Sequence, residues 1–276
     1  MLARTAYGSA VMEPGDVPRS TSGRSLARVL VVGLAVALAL GAFGASRWLS
    51  TSCNPLSGAP CVRVLFLGNS YTYVNDLPTV FREIARSAGT NVETAMEATG
   101  GETLADHAGS SESLAAIRDS QWQFVVLQEQ SEIPSVGALR QSQMEPAARS
   151  LVELVRTARA TPILLETWAH RDGWPDYGLD YRAMQAAVDA GYDTLAAELG
   201  VGVAPAGQAW ERALGEEPSI VLWQADGSHP SAAGTYLAAC VLYARIFNAN
   251  PMGITETAGL SADVAHALQV VAAETT

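Results

Sequence analysis

Val62-Arg63-Val64-Leu65-Phe66-Leu67-Gly68-Asn69-Ser70-Tyr71-Thr72-Tyr73-Val74-Asn75-Asp76-Leu77-Pro78 is the stretch on which the fold turns. Its β-branched and apolar run (Val62, Val64, Leu65, Phe66, Leu67) stops at Gly68, a polar loop carries Ser70, and an apolar helical pattern resumes near Leu77. The order is buried strand, glycine turn, serine, helix. Open α/β sheets place their ligand crevice just past the carboxyl ends of the strands, which is where this serine falls. Glycine at 68 lets the backbone turn sharply and leaves room beside the hydroxyl.

A second string, Asp226-Gly227-Ser228-His229-Pro230, gives the serine its chemical context. A serine hydroxyl becomes a nucleophile near neutral pH when an imidazole takes its proton and a carboxylate fixes the imidazole tautomer. An aspartate three residues before a histidine, in a loop that opens a helix, supplies both groups. The chain has only four histidines, so one in this setting is informative. Between the two strings, Val92 to Ala98 reads as a second strand leading into Thr99-Gly100-Gly101-Glu102-Thr103, where paired glycines allow a backbone N–H to point into the crevice. A third strand, Phe124 to Leu127, runs into Gln128-Glu129-Gln130-Ser131.

These residues resemble the SGNH (GDSL-like) hydrolases, esterases and acylhydrolases built on a flavodoxin-like sheet. Gly68-Asn69-Ser70 looks like the family's first block, with Asn69 where many members have aspartate. Gly100-Gly101 looks like the second block, and Asp226-x-x-His229 like the fifth. The resemblance spans Val62 to Pro251. It implies Ser70 as nucleophile, His229 as base and then acid, and Asp226 as the group orienting His229. It further implies an oxyanion site formed by the amides of Ser70 and Gly100 or Gly101. The third block departs from the pattern: members usually carry Gly-x-Asn-Asp, and no asparagine is present here, which leaves Gln128 or Gln130 as the third donor. Losing one such donor typically costs ~10²–10³ in rate, so the departure bears on speed more than identity. Leu-Gln-Glu-x-Ser, together with Thr167-Trp168-Ala169, is similar to a divergent branch of the family with poorly described substrates. Asn69, His107, Glu129 and Trp168 are expected along the substrate cleft.

The remaining elements alternate. Helices are expected over Leu77 to Ser87, Gln141 to Arg159, Tyr181 to Leu199, Gln208 to Leu214 and Ser231 to Phe247. Further strands are expected over Pro162 to Trp168 and Val201 to Ala204. The expected architecture is a three-layer α/β/α domain with a mostly parallel sheet of about five strands over residues 62–250, followed by a helical tail over 251–276. The chain has 276 residues, of which 49% are hydrophobic, enough for one well-buried domain. A formal charge of −11 argues against a nucleic-acid partner, and all 17 basic side chains are arginines.

Residues 1–28 are rich in Gly, Pro, Ser and Thr and read as a disordered cytoplasmic segment. The apolar run from Val29 to Ala45, extended by Trp48-Leu49, reads as a transmembrane signal-anchor over 29–49, favoured over a cleaved signal peptide by its length. Arg19, Arg24 and Arg28 precede it and only Arg47 follows closely, which places the carboxyl-terminal domain outside the cytoplasm. Cys53 and Cys61 flank a turn-rich spacer in the linker over 50–61 and suit a disulfide in an oxidising compartment, while Cys240 reads as a buried hydrophobe. No cofactor and no metal are implied. The expected function is an exported, membrane-anchored serine esterase or deacylase acting on a short acyl ester. A carbohydrate ester is the first choice of substrate, a lipid or other small ester the second. The alternatives are a non-catalytic binding domain of the same fold, or an acyltransferase using the same serine.

Overall fold

The computed structural model describes Cys53 and residues 60–119 and 121–276. Segments 1–28 and 29–49 lie outside the described residues, and among the described residues no helix is long and apolar enough to cross a membrane. Cys53 and Cys61 are joined by a disulfide with their Cα atoms 5.6 Å apart.

Five parallel strands form one sheet in the order β2-β1-β3-β4-β5, with β1 at Val62–Gly68, β2 at Val92–Ala98, β3 at Phe124–Leu127, β4 at Thr161–Glu166 and β5 at Gly202–Pro205. The chain steps outward from β1 to β2, then returns to the other side of β1 to begin β3. This reversal leaves the crevice between the carboxyl ends of β1 and β3 open to a ligand. Side chains alternate across the pleat, so β1 divides itself between two cores. Val64 and Phe66 pack on one face with Val126, Ile163 and Leu165, while Leu65 and Leu67 pack on the other with Val125, Leu127 and Leu164.

Helices cover both faces. After the short α1 (Ser70–Tyr73) comes α2 (Leu77–Ser87), then α3 (Leu104–Gly109), α4 (Ser111–Asp119), α5 (Glu145–Thr157), α6 (Tyr181–Leu199), α7 (Ala206–Glu216), α8 (Ala232–Phe247) and α9 (Ala262–Thr275). The first core takes its helical side chains from α1, α2, α7, α8 and α9, and the second from α3 to α6. The helix expected over Gln141 to Arg159 is present and begins earlier, at Gly137, with a π-helical stretch at Arg140–Met144 leading into α5. The helical tail expected over 251–276 contains α9, whose Ala265, Leu268, Val271 and Ala272 belong to the first core, which the helix joins by burying one apolar stripe. Cys240 is fully buried in α8, and burial pushes its thiol up to about 12.

One buried acid ties the fold to pH. Glu166, at the end of β4, is fully buried and accepts from the backbone N–H and Nε2 of Gln208, each at 3.0 Å. Burial, reinforced by the neighbouring Asp189, pushes its carboxyl from 4.5 up to about 8. In the unfolded chain the group ionises near 4.5, so between that value and about 8 the folded state holds the extra proton and stability falls as pH rises. The melting temperature is therefore expected to decline across this window, and Glu166→Gln to flatten the decline, as read by thermal unfolding in buffers spanning it.

Candidate active site

Ser70 opens α1 immediately after β1, and the turn that holds it is built from buried polar groups. The Asn69 side chain caps the helix: Oδ1 accepts from the Tyr71 N–H at 3.0 Å, and Nδ2 donates to the Glu102 carbonyl at 2.9 Å. Gly68 is required by close approach, since a Cβ there would meet the Thr72 hydroxyl and lie 2.6 Å from Gln128 Oε1. His107 Nε2 lies 2.9 Å from the Gly68 carbonyl, which can only accept, so Nε2 donates there, and Nδ1 pairs with Ser113 Oγ at 2.8 Å. The Tyr71, Thr72 and Tyr73 amides of α1 are all spent on Asn69.

The 226–229 loop meets this turn. Asp226 Oδ1 accepts from the Ser228 and His229 N–H groups, each at 3.0 Å, and Oδ2 accepts from His229 Nδ1 at 2.7 Å. These bonds, the Ser228 N–H first, hold the Asp226 carboxyl below the usual carboxylate range, so it is ionised at neutral pH. With Nδ1–H given to the carboxylate, His229 Nε2 is left to accept from Ser70 Oγ, 2.9 Å away. Serine, histidine and aspartate thus form a continuous hydrogen-bonded chain at the mouth of the crevice. Asp226 is exposed, and Ser70 and His229 are half-buried.

Two contacts fix the distance between serine and histidine. Asn75, held in the left-handed region at φ 58°, donates from Nδ2 to the Pro230 carbonyl at 2.9 Å and to Thr235 Oγ1 at 3.0 Å. Behind His229 runs an aromatic column. Tyr71 meets the imidazole edge-on at 5.7 Å and stacks on Trp168 at 4.8 Å, and Trp168 stacks on Trp210 at 4.0 Å. The Tyr71 hydroxyl pairs with Ser228 Oγ at 2.7 Å, and Trp168 Nε1 donates to the Ser228 carbonyl at 3.0 Å, so the column also grips the histidine loop. Burial pushes the Tyr71 phenol up to about 12, which keeps it neutral.

The Thr99–Glu102 turn carries Gly100 and Gly101, both exposed, with Gly101 at φ 74°. It is closed by the Glu102 N–H to the Thr99 carbonyl at 3.1 Å and joined to the serine turn through Asn69 and the Glu102 carbonyl. The two glutamines do something other than expected. Gln128 is fully buried: Oε1 accepts from the Asn69 N–H at 3.0 Å and Thr72 Oγ1 at 2.9 Å, while Nε2 donates to the Glu129 carbonyl. Gln130 Oε1 caps its own loop, accepting from the Glu132 N–H at 2.9 Å and the Ile133 N–H at 3.3 Å, and its Nε2 faces Glu132 at 3.4 Å. Neither amide is aimed at an oxyanion.

Asn69, His107, Glu129 and Trp168 also depart from expectation, because all four are buried. They form the back of the crevice wall, where their polar atoms satisfy loop backbone groups that water cannot reach. Glu129 Oε1 accepts from the Leu104 N–H at 3.1 Å and the Gln130 N–H at 2.6 Å, and burial pushes its carboxyl up to about 7. His170 follows β4 and belongs to no motif. It lies beside the triad with Nε2 3.0 Å from Ser131 Oγ, and burial holds its imidazole below the usual range while Asp226 and His229 both act on it electrostatically. Asn75 had no sequence signal beyond the turn preference of Asn-Asp.

A protein from Slackia heliotrinireducens assigned to the SGNH hydrolases shares 30% identity with this chain, over 68% of it and 100% of the Slackia chain, with a TM-score of 0.58. The chain belongs to the SGNH hydrolase family. Within the same fold, a DUF4886 family protein from Bacteroides uniformis matches with a TM-score of 0.69 at 18% identity, covering 78% of this chain and 94% of its own. An acetyl-xylooligosaccharide esterase from Geobacillus Stearmophilus matches with a TM-score of 0.51 at 16% identity, covering 67% and 94%. No family model and no curated protein matches.

Asn75→Ala removes the direct tie between the serine turn and the histidine loop of this SGNH hydrolase. It is expected to cost about 1–2 kcal/mol, seen as a lower denaturant midpoint with an unchanged slope.

Proposed function

We propose that the protein is a serine esterase or deacylase that works outside the cytoplasm and cleaves short acyl esters. The observation that carries this reading is the chain from Asp226 through His229 to Ser70 Oγ, in which each bond has catalytic polarity. Ser70 Oγ attacks the ester carbonyl as its proton passes to His229 Nε2, and Asp226 stabilises the imidazolium. The imidazolium then protonates the leaving alcohol, and water repeats the sequence on the acyl-enzyme. The developing oxyanion is met by the Ser70 N–H and a glycine N–H of the Gly100-Gly101 turn. Export is supported by the Cys53–Cys61 disulfide, a bond that persists in oxidising compartments, and by the apolar run over 29–49, which would anchor the chain.

A carbohydrate or similar polyhydroxy alcohol is the proposed leaving group. Beside His229, the His170–Ser131 pair and the nearby Glu132 give the crevice a polar side, and structures of the same fold include an acetyl xylan esterase and an acetyl-xylooligosaccharide esterase. An acyltransferase would use the same chemistry with a hydroxyl in place of water.

Hydrolysis of p-nitrophenyl acetate is the direct test. Ser70→Ala and His229→Ala are each expected to lower kcat by at least about 10³-fold with the fold intact. Full activity in both variants would refute the reading. His170→Ala is expected to leave p-nitrophenyl acetate turnover within about threefold while raising KM for an acetylated sugar by about tenfold, the scale of one lost hydrogen bond. Equal effects on both esters would remove the polar leaving-group assignment.

A further inference from the structure

The third strand of this protein ends without the asparagine of the family pattern, and the residues that stand there face away from the substrate. Gln128 and Glu129 follow β3 in sequence, and successive side chains of an extended segment point to opposite sides. Gln128 reaches toward β1, where Oε1 takes the Asn69 N–H at 3.0 Å and Thr72 Oγ1 at 2.9 Å. Glu129 reaches toward the start of α3, where Oε1 takes the Leu104 N–H at 3.1 Å together with the Gln130 N–H at 2.6 Å. Both side chains are fully buried, and the Gln128 amide closes on the Glu129 carbonyl, so the two act as one rigid unit.

Resting on the serine hydrolase reading, we propose that Gln128 and Glu129 are positioning residues that clamp the serine turn to the loop entering α3. The clamp sets the Ser70 and Gly100-Gly101 amides at a fixed separation, in place of a third donor supplied by a side chain. A misplacement of about 1 Å between reacting groups can cost 10²-fold in rate, so a clamp from behind offsets a missing donor in front.

The protonation of Glu129 suits this role. Oε1 takes both N–H groups and Oε2 has no partner among the described residues, which leaves Oε2 to carry the proton of the neutral acid. Around it, Asp106 of α3 disfavours ionisation, and Tyr192 of α6 adds its buried phenol, which accepts the Glu129 N–H at 3.3 Å. Burial, the larger influence, pushes the carboxyl up to about 7. The clamp needs an acceptor at Oε1, and the charge is dispensable. Glutamine therefore imitates the neutral acid, whereas methionine keeps the volume and removes the acceptor.

The test compares Glu129→Gln, Glu129→Met and Glu129→Ala in the full chain by two independent readouts. By amide hydrogen exchange, Glu129→Met is expected to accelerate Leu104 and Gln130 at least about tenfold, with the β1 and β3 amides unchanged and Glu129→Gln like wild type. By p-nitrophenyl acetate hydrolysis, Glu129→Met is expected to lower kcat about 10²-fold with KM within about twofold, and Glu129→Gln to stay within about threefold of wild type. Glu129→Ala is expected to follow the methionine variant, and should it fail to fold, the methionine variant decides alone. Unchanged exchange at Leu104 and Gln130, a glutamine variant as impaired as methionine, or a loss confined to KM would each overturn the proposal. Should wild type neither hydrolyse esters nor label at Ser70 with a fluorophosphonate, the hydrolase reading fails, and the positioning role that rests on it falls too. Exchange would then still report whether the clamp exists.

Discussion

A backbone amide or carbonyl that leaves water must find a partner, and under the crevice of this protein that requirement is met by side chains. The turn after β1 cannot be solvated from below, because the two cores close over the sheet on either side. Asn69, Gln128, Glu129 and His107 supply the missing partners. Each is buried, each bonds to a loop other than its own, and together they make the loops of the site mutually dependent. Removing one member would leave a buried donor or acceptor unpaired, at a cost larger than the net worth of the bond that was lost.

The catalytic-type chain in front is comparatively exposed. Asp226 lies at the surface, where water screens its charge, and what gives it a defined geometry is the tight 226–229 loop, which aims two N–H groups and the Nδ1–H at one carboxylate. The aromatic column from Tyr71 through Trp168 to Trp210 holds that loop from within the first core. Order at the site is thus imposed from behind, by packing and by buried hydrogen bonds, on groups that stay partly or fully open to solvent.

The family pattern and this chain differ most at the end of β3, and the difference has a physical logic. Gln128 and Glu129 stand there instead, one bonded to the turn after β1 and the other to the loop entering α3. On the proposed reading, backbone donors meet the oxyanion and their spacing sets its stabilisation.

The sequence by itself determined the alternation of strand and helix, the strand-glycine-serine start and the pairing of Asp226 with His229. These rest on local rules, the period of apolar residues and a three-residue spacing, which one stretch of chain can express. Only the tertiary structure decided which way polar side chains near the crevice point. Asn69, His107, Glu129 and Trp168 sit beside the motifs in sequence, yet burial turned them inward, because loop amides from distant strands needed them there. Asn75 and His170, by contrast, carry no motif, and only the meeting of the β1, β3, β4 and 226–229 loops brings them to the triad. Proximity along the chain says which residues are available, while the partners that satisfy a buried polar atom come from across the fold.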